Sequence, residues 1–377
     1  MRRLARAVAA FLVVFVGAIA IAAVVLGLWS RAQLKAIVVL GITERTPVVA
    51  PLVRLLTDTP RNEETRVGGE ATTLFRPGAG RGPWPAIVFV NGATRAGRFH
   101  PKVRRLAQGL SRAGFLVAVP DLPGLRLGQI TPQTTEALIR VAREIAGRAD
   151  VRGGRVSFYG VSVGATLSLL AVETPALAGR VRAVGGEAPW VDLEKVIRLA
   201  TTGWYGRTPY GTDPYVRLAI ARSLAFALRR GRDRTRLLAR LDAVPDDDPH
   251  PLAPLRAAPQ LHAGGRALVA LLLNRDPRRF RILYARLPAR VRRGVALLSP
   301  LLRAGRIGVP VELASAPHDK YFPPAESRSL ARRSKHVRVT ITSTLVHAIP
   351  KPSFHSIGDL VRFDKFVVRF LRDAARA

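Results

Sequence analysis

The chain has 377 residues, 48% of them hydrophobic, and a formal net charge of +34. That length buries one large core with an appendage. It has no cysteine, which excludes disulfides, thiolate metal sites and a cysteine nucleophile. Its basic residues, mostly Arg, are spread along the whole chain, with no zinc finger, RNP-type run or basic-region helix. They therefore read as solvated surface and argue against a nucleic-acid partner, with attraction to an anionic membrane surface as the second reading.

In chain order, Arg2, Arg3 and Arg6 precede an uncharged run from Ala7 to Trp29. A bilayer needs ~20 apolar residues, whereas the core of a cleaved signal has only ~7–15. Residues 1–30 are thus expected to be an uncleaved single-pass transmembrane anchor. The slight excess of Arg on the N-terminal side places the rest of the chain outside the cytoplasm. Residues 31–69, with three prolines and one short apolar run, are expected to form a linker or irregular edge. Glu70–Arg76 alternates weakly, as an edge strand does. Pro77–Pro85 reads as hairpin punctuation, because its GAGRG is followed by Pro83 and Pro85 and no helix begins there to hold a phosphate.

From Ala86 a rhythm sets in. Apolar strands are expected at Ala86–Val90, Phe115–Val119, Val156–Tyr159 and Val181–Gly185, separated by helices at Pro101–Ala113, Gln133–Ala146 and Ala165–Glu173. The alternation means a mostly parallel sheet flanked by helices. From 191 to 308 the rhythm breaks into Leu-, Ala- and Arg-rich helical stretches around 214–230, 233–241, 266–273 and 278–303, with a Pro/Asp linker at Pro245–Pro254. This is an insertion. The rhythm returns with strands at Pro310–Ser315 and Val337–Thr342, a helix at Pro323–Arg332 and an amphipathic closing helix at Ile357–Arg372.

The stretch between Val156 and Glu173 carries Gly160-Val161-Ser162-Val163-Gly164 between strand and helix. A serine on such a turn is pushed out of the sheet's C-terminal edge, and Gly160 and Gly164 leave the room the turn needs. Reactive groups in open α/β sheets sit beyond the strand C-termini. Two more residues follow strands in that way: Asp319 in SAPHDKYFPP and His347 in TSTLVHA. No H-E-x-x-H, Walker-type loop or G-x-G-x-x-G stands in a binding context, so neither a metal nor a cofactor is expected.

Together these features resemble the α/β-hydrolase fold family over about residues 70–190 and 305–375, with the insertion where that family carries a helical cap or lid. The resemblance implies a domain at 70–377 with the cap at 191–308 inserted in it. It maps the family's nucleophile onto Ser162, its acid onto Asp319 and its base onto His347. The oxyanion would be met by the N–H groups of Val163 and Ala93, and a water would resolve an acyl-enzyme. The implied activity is that of a membrane-anchored serine esterase acting on a small-molecule or lipid-like acyl substrate. Asp192 and Glu187 stand as alternative acids and His355 as an alternative base. His318 adjoins Asp319, while His100, His250, His262 and His336 read as surface or loop residues. Asn91-Gly92 stands where the family often has His-Gly, so two other readings stay open: a fold kept without chemistry as a binding or scaffold protein, and an acyltransferase.

Overall fold

A computed structural model describes residues 31–45, 47–257, 260–350 and 357–376. The expected anchor at 1–30 and His355 lie outside them. Among the described residues no helix is long and apolar enough to cross a membrane.

The core is an eight-stranded sheet of β1 (Arg61–Val67), β2 (Glu70–Arg76), β3 (Trp84–Val90), β4 (Leu116–Pro120), β5 (Val151–Val161), β6 (Val181–Glu187), β7 (Val311–Ser315) and β8 (Val337–Ile341). Their spatial order is β1-β2-β4-β3-β5-β6-β7-β8. The pairs from β4 to β8 are parallel, while β1–β2 and β2–β4 are antiparallel. The central strands β3 and β4 are buried on both faces, as their unbroken apolar runs require, whereas the edge strand β8 (VRVTI) is partly exposed. The chain moves from β3 outward to β4, then returns across β3 to β5. The direction of winding therefore reverses between β3 and β5, which opens a crevice at their C-terminal ends.

Helices cover both faces: α1 (Arg31–Thr43), α2 (Val49–Leu56), α3 (Pro101–Arg112), α4 (Pro132–Ala146), α5 (Val163–Val172), α6 (Leu193–Thr202), α7 (Pro214–Ala227), α8 (Arg232–Asp242), α9 (Ala263–Leu272), α10 (Phe280–Ala285), α11 (Ala289–Leu297), α12 (Ala325–Ala331) and α13 (Ile357–Ala375). Alternate residues of β3 face two cores. Val88 and Val90 pack toward α4, α5 and the insertion. Ile87 and Phe89 pack with Val39 of α1, Val103 and Leu110 of α3, and Phe366 and Phe370 of α13.

The stretch 31–69 is not a linker. Its apolar residues dock α1 against α3, where Gly109 lets the helices approach so closely that a Cβ there would lie 3.0 Å from the Val39 carbonyl oxygen. Gln33 Nε2 donates to both oxygens of Asp364 on α13 at 3.0 and 3.1 Å. The edge strand is β1, whose polar sequence RNEETRV pairs residue for residue with β2. Glu70–Arg76 is thus the second strand. The Pro77–Pro85 segment makes no hairpin, because β4 lies between β2 and β3.

The excursion between β6 and β7 is helical, as its composition demands, with a two-residue ribbon of Trp204–Tyr205 and Thr208–Pro209 after α6. The helix expected over 278–303 is divided into α10, α11 and a 3₁₀ turn at Pro300–Arg306, with Pro288 and Pro300 at the breaks. Its entry and exit are stapled together. Leu301 N donates to Val191 O at 3.0 Å and Leu193 N to Ser299 Oγ at 3.0 Å. The buried Glu326 of α12 accepts from Val191 N and Asp192 N at 2.7 and 2.8 Å. Inside the insertion, Arg222 is fully buried and is satisfied by the Leu241 and Val244 carbonyls and by Asp246. A buried guanidinium holds only with such partners.

Candidate active site

Ser162 lies between β5 and α5 at φ +55°, ψ −121°, a backbone conformation that residues other than glycine rarely adopt. Its flanking glycines are required by space. A Cβ at Gly164 would lie 1.9 Å from the Val90 carbonyl oxygen, and one at Gly160 2.4 Å from Ala165 Cα. The turn is clasped on one side by Ser162 N donating to Glu187 O at 2.7 Å. On the other lies the loop after β3, where a Cβ at Gly92 would stand 3.5 Å from Ser162 Cβ.

The loops after β7 and β8 bring the other two residues in. His347 Nε2 lies 2.9 Å from Ser162 Oγ, and His347 Nδ1 lies 2.8 and 3.0 Å from the two carboxylate oxygens of Asp319. An ionised carboxylate only accepts, so Nδ1 carries the ring proton and Nε2 is left as an acceptor for the serine hydroxyl. Asp319 is fully buried and is oriented by Tyr321 N and Phe322 N, which donate to Oδ1 at 2.7 and 3.1 Å. The imidazole is stacked on Tyr321, with ring centroids 4.2 Å apart, and meets Phe322 edge-on. His347 itself has φ +55° at the tip of the ribbon formed by Leu345–Val346 and Ile349–Pro350.

Val163 and Ala93 both border the same cavity as Ser162. Val163 is the first residue of α5, so its N–H has no partner within the helix and sits at the positive end of the helix dipole. This arrangement can polarise a carbonyl placed against the serine. Asn91, which stands in place of a histidine, is buried, and its amide donates to Gly92 O at 2.8 Å.

The alternative acids are occupied elsewhere. Asp192 caps α6 through Lys195 N at 3.3 Å and pairs with Lys195 Nζ at 2.9 Å. The Glu187 carboxyl takes the hydrogen bond of the Tyr159 hydroxyl, and burial pushes it up to about 7. His318, His250 and His262 are exposed, the last paired with Asp233. His100 caps α3 by accepting from Lys102 N at 3.3 Å and also reaches the cavity. The partly buried His336 supplies its carbonyl to Val311 N at 2.9 Å.

The insertion contributes parts that its sequence did not reveal. Tyr210 Oη donates to Asp319 O at 2.6 Å, and Asp213 N donates to Lys320 O at 3.0 Å, so this segment braces the acid loop. Tyr215 Oη reaches Ala93 O at 3.4 Å. Tyr321 was also missed, though an aromatic two residues beyond the acid was a visible signal. Beyond the serine opens a cavity of about 460 Å³, walled by α7 residues such as Val216 and Ile220 and, on the other side of the sheet, by α1, α3 and α13.

A strained serine on a strand-to-helix turn, at the winding reversal of a parallel sheet, defines the class of α/β proteins built around a nucleophile elbow. The alpha/beta hydrolase fold family matches residues 85–349, more than half of the chain, and the protein belongs to that family. No curated protein matches it. Among solved structures it is similar to the Pyrococcus horikoshii acylaminoacyl peptidase, at 14% identity and a TM-score of 0.51, over 87% of this chain and 44% of that one. It also matches a dienelactone hydrolase from Anabaena variabilis, at 13% identity and a TM-score of 0.45, over 85% of this chain and all of the other. A Pyrococcus furiosus esterase matches at 12% identity and a TM-score of 0.46, over 85% and 93% of the two chains. The chain spans less than half the length of the peptidase, and identities this low speak to the fold.

Proposed function

We propose that the protein is a membrane-anchored serine hydrolase that cleaves an ester or related acyl bond. The observation that carries this reading is the unbroken line from Ser162 Oγ through His347 to the buried Asp319 carboxylate, opening on a largely apolar cavity.

In this mechanism His347 Nε2 takes the Ser162 proton as Oγ bonds to the substrate carbonyl carbon. Asp319 holds the imidazole in the tautomer that can accept and stabilises the imidazolium. The oxygen of the tetrahedral intermediate is met by the N–H groups of Val163 and Ala93. As the carbonyl reforms, the bond to the leaving group breaks and His347 returns the proton to it. Water, deprotonated by the same nitrogen, then releases the acid and frees Ser162. The insertion acts as a cap that shapes the substrate side, and residues 1–30 hold the enzyme at the membrane with the hydrolase domain outside the cytoplasm.

The test is labelling of the full chain by a fluorophosphonate probe, alongside hydrolysis of p-nitrophenyl butyrate. Wild type should label and turn over, and Ser162→Ala should do neither while keeping its circular dichroism and melting temperature. Equal turnover in the two proteins would end the reading.

A further inference from the structure

The cavity does not stop under the insertion. It continues to the opposite face of the sheet, between α1, α3 and α13, past Val39, Leu40, Val103, Leu106, Phe363 and Val367. Every one of these is apolar. The same lining also carries polar groups: the hydrogen-bonded Tyr159 and Glu187, the exposed Lys102 and the partly buried Glu44, His100 and Arg105. A mainly apolar lining that carries a few polar groups suits one chemical class, an amphiphile with a long alkyl chain.

One helix forms both the wall of this arm and an apolar outer surface. On α1, Val39 and Leu40 border the cavity, whereas Leu34 and Ile37 face outward. On α2, Leu55 is 82% exposed and Leu56 72% exposed, beside the exposed Leu52. Isolated exposed leucines are ordinary, but a run of them on two consecutive helices marks a contact surface. The occupant is indicated by the chain that leads into it. The uncharged run Ala7–Trp29, long enough by sequence to cross a bilayer, ends two residues before Arg31, the first described residue of α1, and an anchor in that run would set α1 at the lipid surface. The exposed Arg31 and Arg54 on the same two helices suit anionic head groups.

We propose that the arm between α1, α3 and α13 is an alkyl-chain channel, and that the substrate is a long-chain lipid ester drawn from the bilayer on which α1 and α2 rest. The proposal rests on the hydrolase reading, with the ester's reacting carbonyl at Ser162 and its chain running toward Leu40 and Leu106.

The experiment uses the full chain and two substrate series, p-nitrophenyl alkanoates and n-alkyl acetates, each with a butyl-length and a hexadecyl-length member. Leu40→Trp narrows the arm without touching the serine, the imidazole or the carboxylate. It should lower kcat/KM for the long member of one series by at least ~10-fold, what losing about two buried methylenes costs, while the short members stay within about twofold. Leu106→Trp narrows the same arm from α3 and should act alike, so a folding failure of one variant leaves the other to decide. An unchanged long-to-short ratio in both series overturns the channel. In vesicles of phosphatidylcholine and phosphatidylglycerol, Leu55→Glu with Leu56→Glu should cut hydrolysis of the long ester several-fold and leave the short ester unchanged. Equal hydrolysis of the vesicle-borne ester would overturn entry from the bilayer. If wild type hydrolyses no ester at all, the hydrolase reading has failed. The channel is then judged by fluorescence of bound cis-parinaric acid, which wild type should bind at least ~10-fold more tightly than Leu40→Trp; equal binding would overturn it.

Discussion

The cavity has two unlike walls. The sheet wall is built from backbone: a serine at positive φ, two glycines with no room for a methyl group, and strand ends that aim three side chains at one point. The wall contributed by the insertion is built from side chains, Val216, Ile220 and Tyr215 among them, on α7, which is tied to the sheet's loops by contacts such as Tyr215 Oη to Ala93 O. In the proposed function, chemistry that tolerates errors of only a few tenths of an ångström falls to the first wall, while the second shapes the space beside the serine.

Asp319→Asn tests the sheet wall where the effect should be largest. The amide keeps the shape but favours the wrong imidazole tautomer, and kcat should fall by roughly ten-thousand-fold. Steady-state kinetics of Asp319→Asn, Asp192→Asn and Glu187→Gln side by side check it. Activity near wild type in the first variant, with a collapse in another, would move the acid elsewhere.

A pair of glycines sharpens the contrast in stability. Gly164→Ala forces a methyl group into the Val90 carbonyl and should cost more than about 3 kcal/mol, since backbone cannot step aside. Gly294→Ala lies in α11 with open space around it and should stabilise by about 0.5–1 kcal/mol. Urea denaturation of both variants measures the difference. Equal effects would mean that the elbow is not the rigid wall described here.

A smaller effect links the sheet wall to pH. The Glu187 carboxyl is buried beside Tyr159, and burial raises it from 4.5 to about 7. The folded state therefore holds a proton that the unfolded state has released, and stability falls as pH rises between these two values. The loss is on the order of a few kcal/mol at most, complete once pH passes the folded value. Glu187→Gln keeps the hydrogen bond without the titration. Melting temperatures at about pH 5 and about pH 8 should decline more for wild type than for the variant, and parallel declines would show that Glu187 does not titrate in this window.

The parts legible in the sequence were those in which local pattern and tertiary role agree. The run AIVFV lies in the buried strand β3, FLVAV enters β4 from its second residue on, and G-x-S-x-G lies at the turn its glycines imply. Distance from a strand end also pointed to His347 and Asp319. The misses arose where the determinant lay outside the segment. RNEETRV has no apolar alternation, and β1 exists through main-chain pairing to β2. The β-branched residues of AIVVLGI gave no clear helical stripe, and α1 is fixed by docking on Gly109 and Asp364, far away in sequence. Tyr210 and Tyr215 were invisible for the same reason, since their hydroxyls meet Asp319 and Ala93 only after the insertion folds back.

In the proposed mechanism Ser162 and His347 act as one unit with Asp319. The most direct measurement is a double-variant cycle on ester turnover by the full chain: wild type, Ser162→Ala, His347→Ala and the two together. Each single variant should lose almost everything, and the double variant should be no worse than either. Single losses that multiply in the double variant, or a His347→Ala protein that keeps most of its activity, would contradict it.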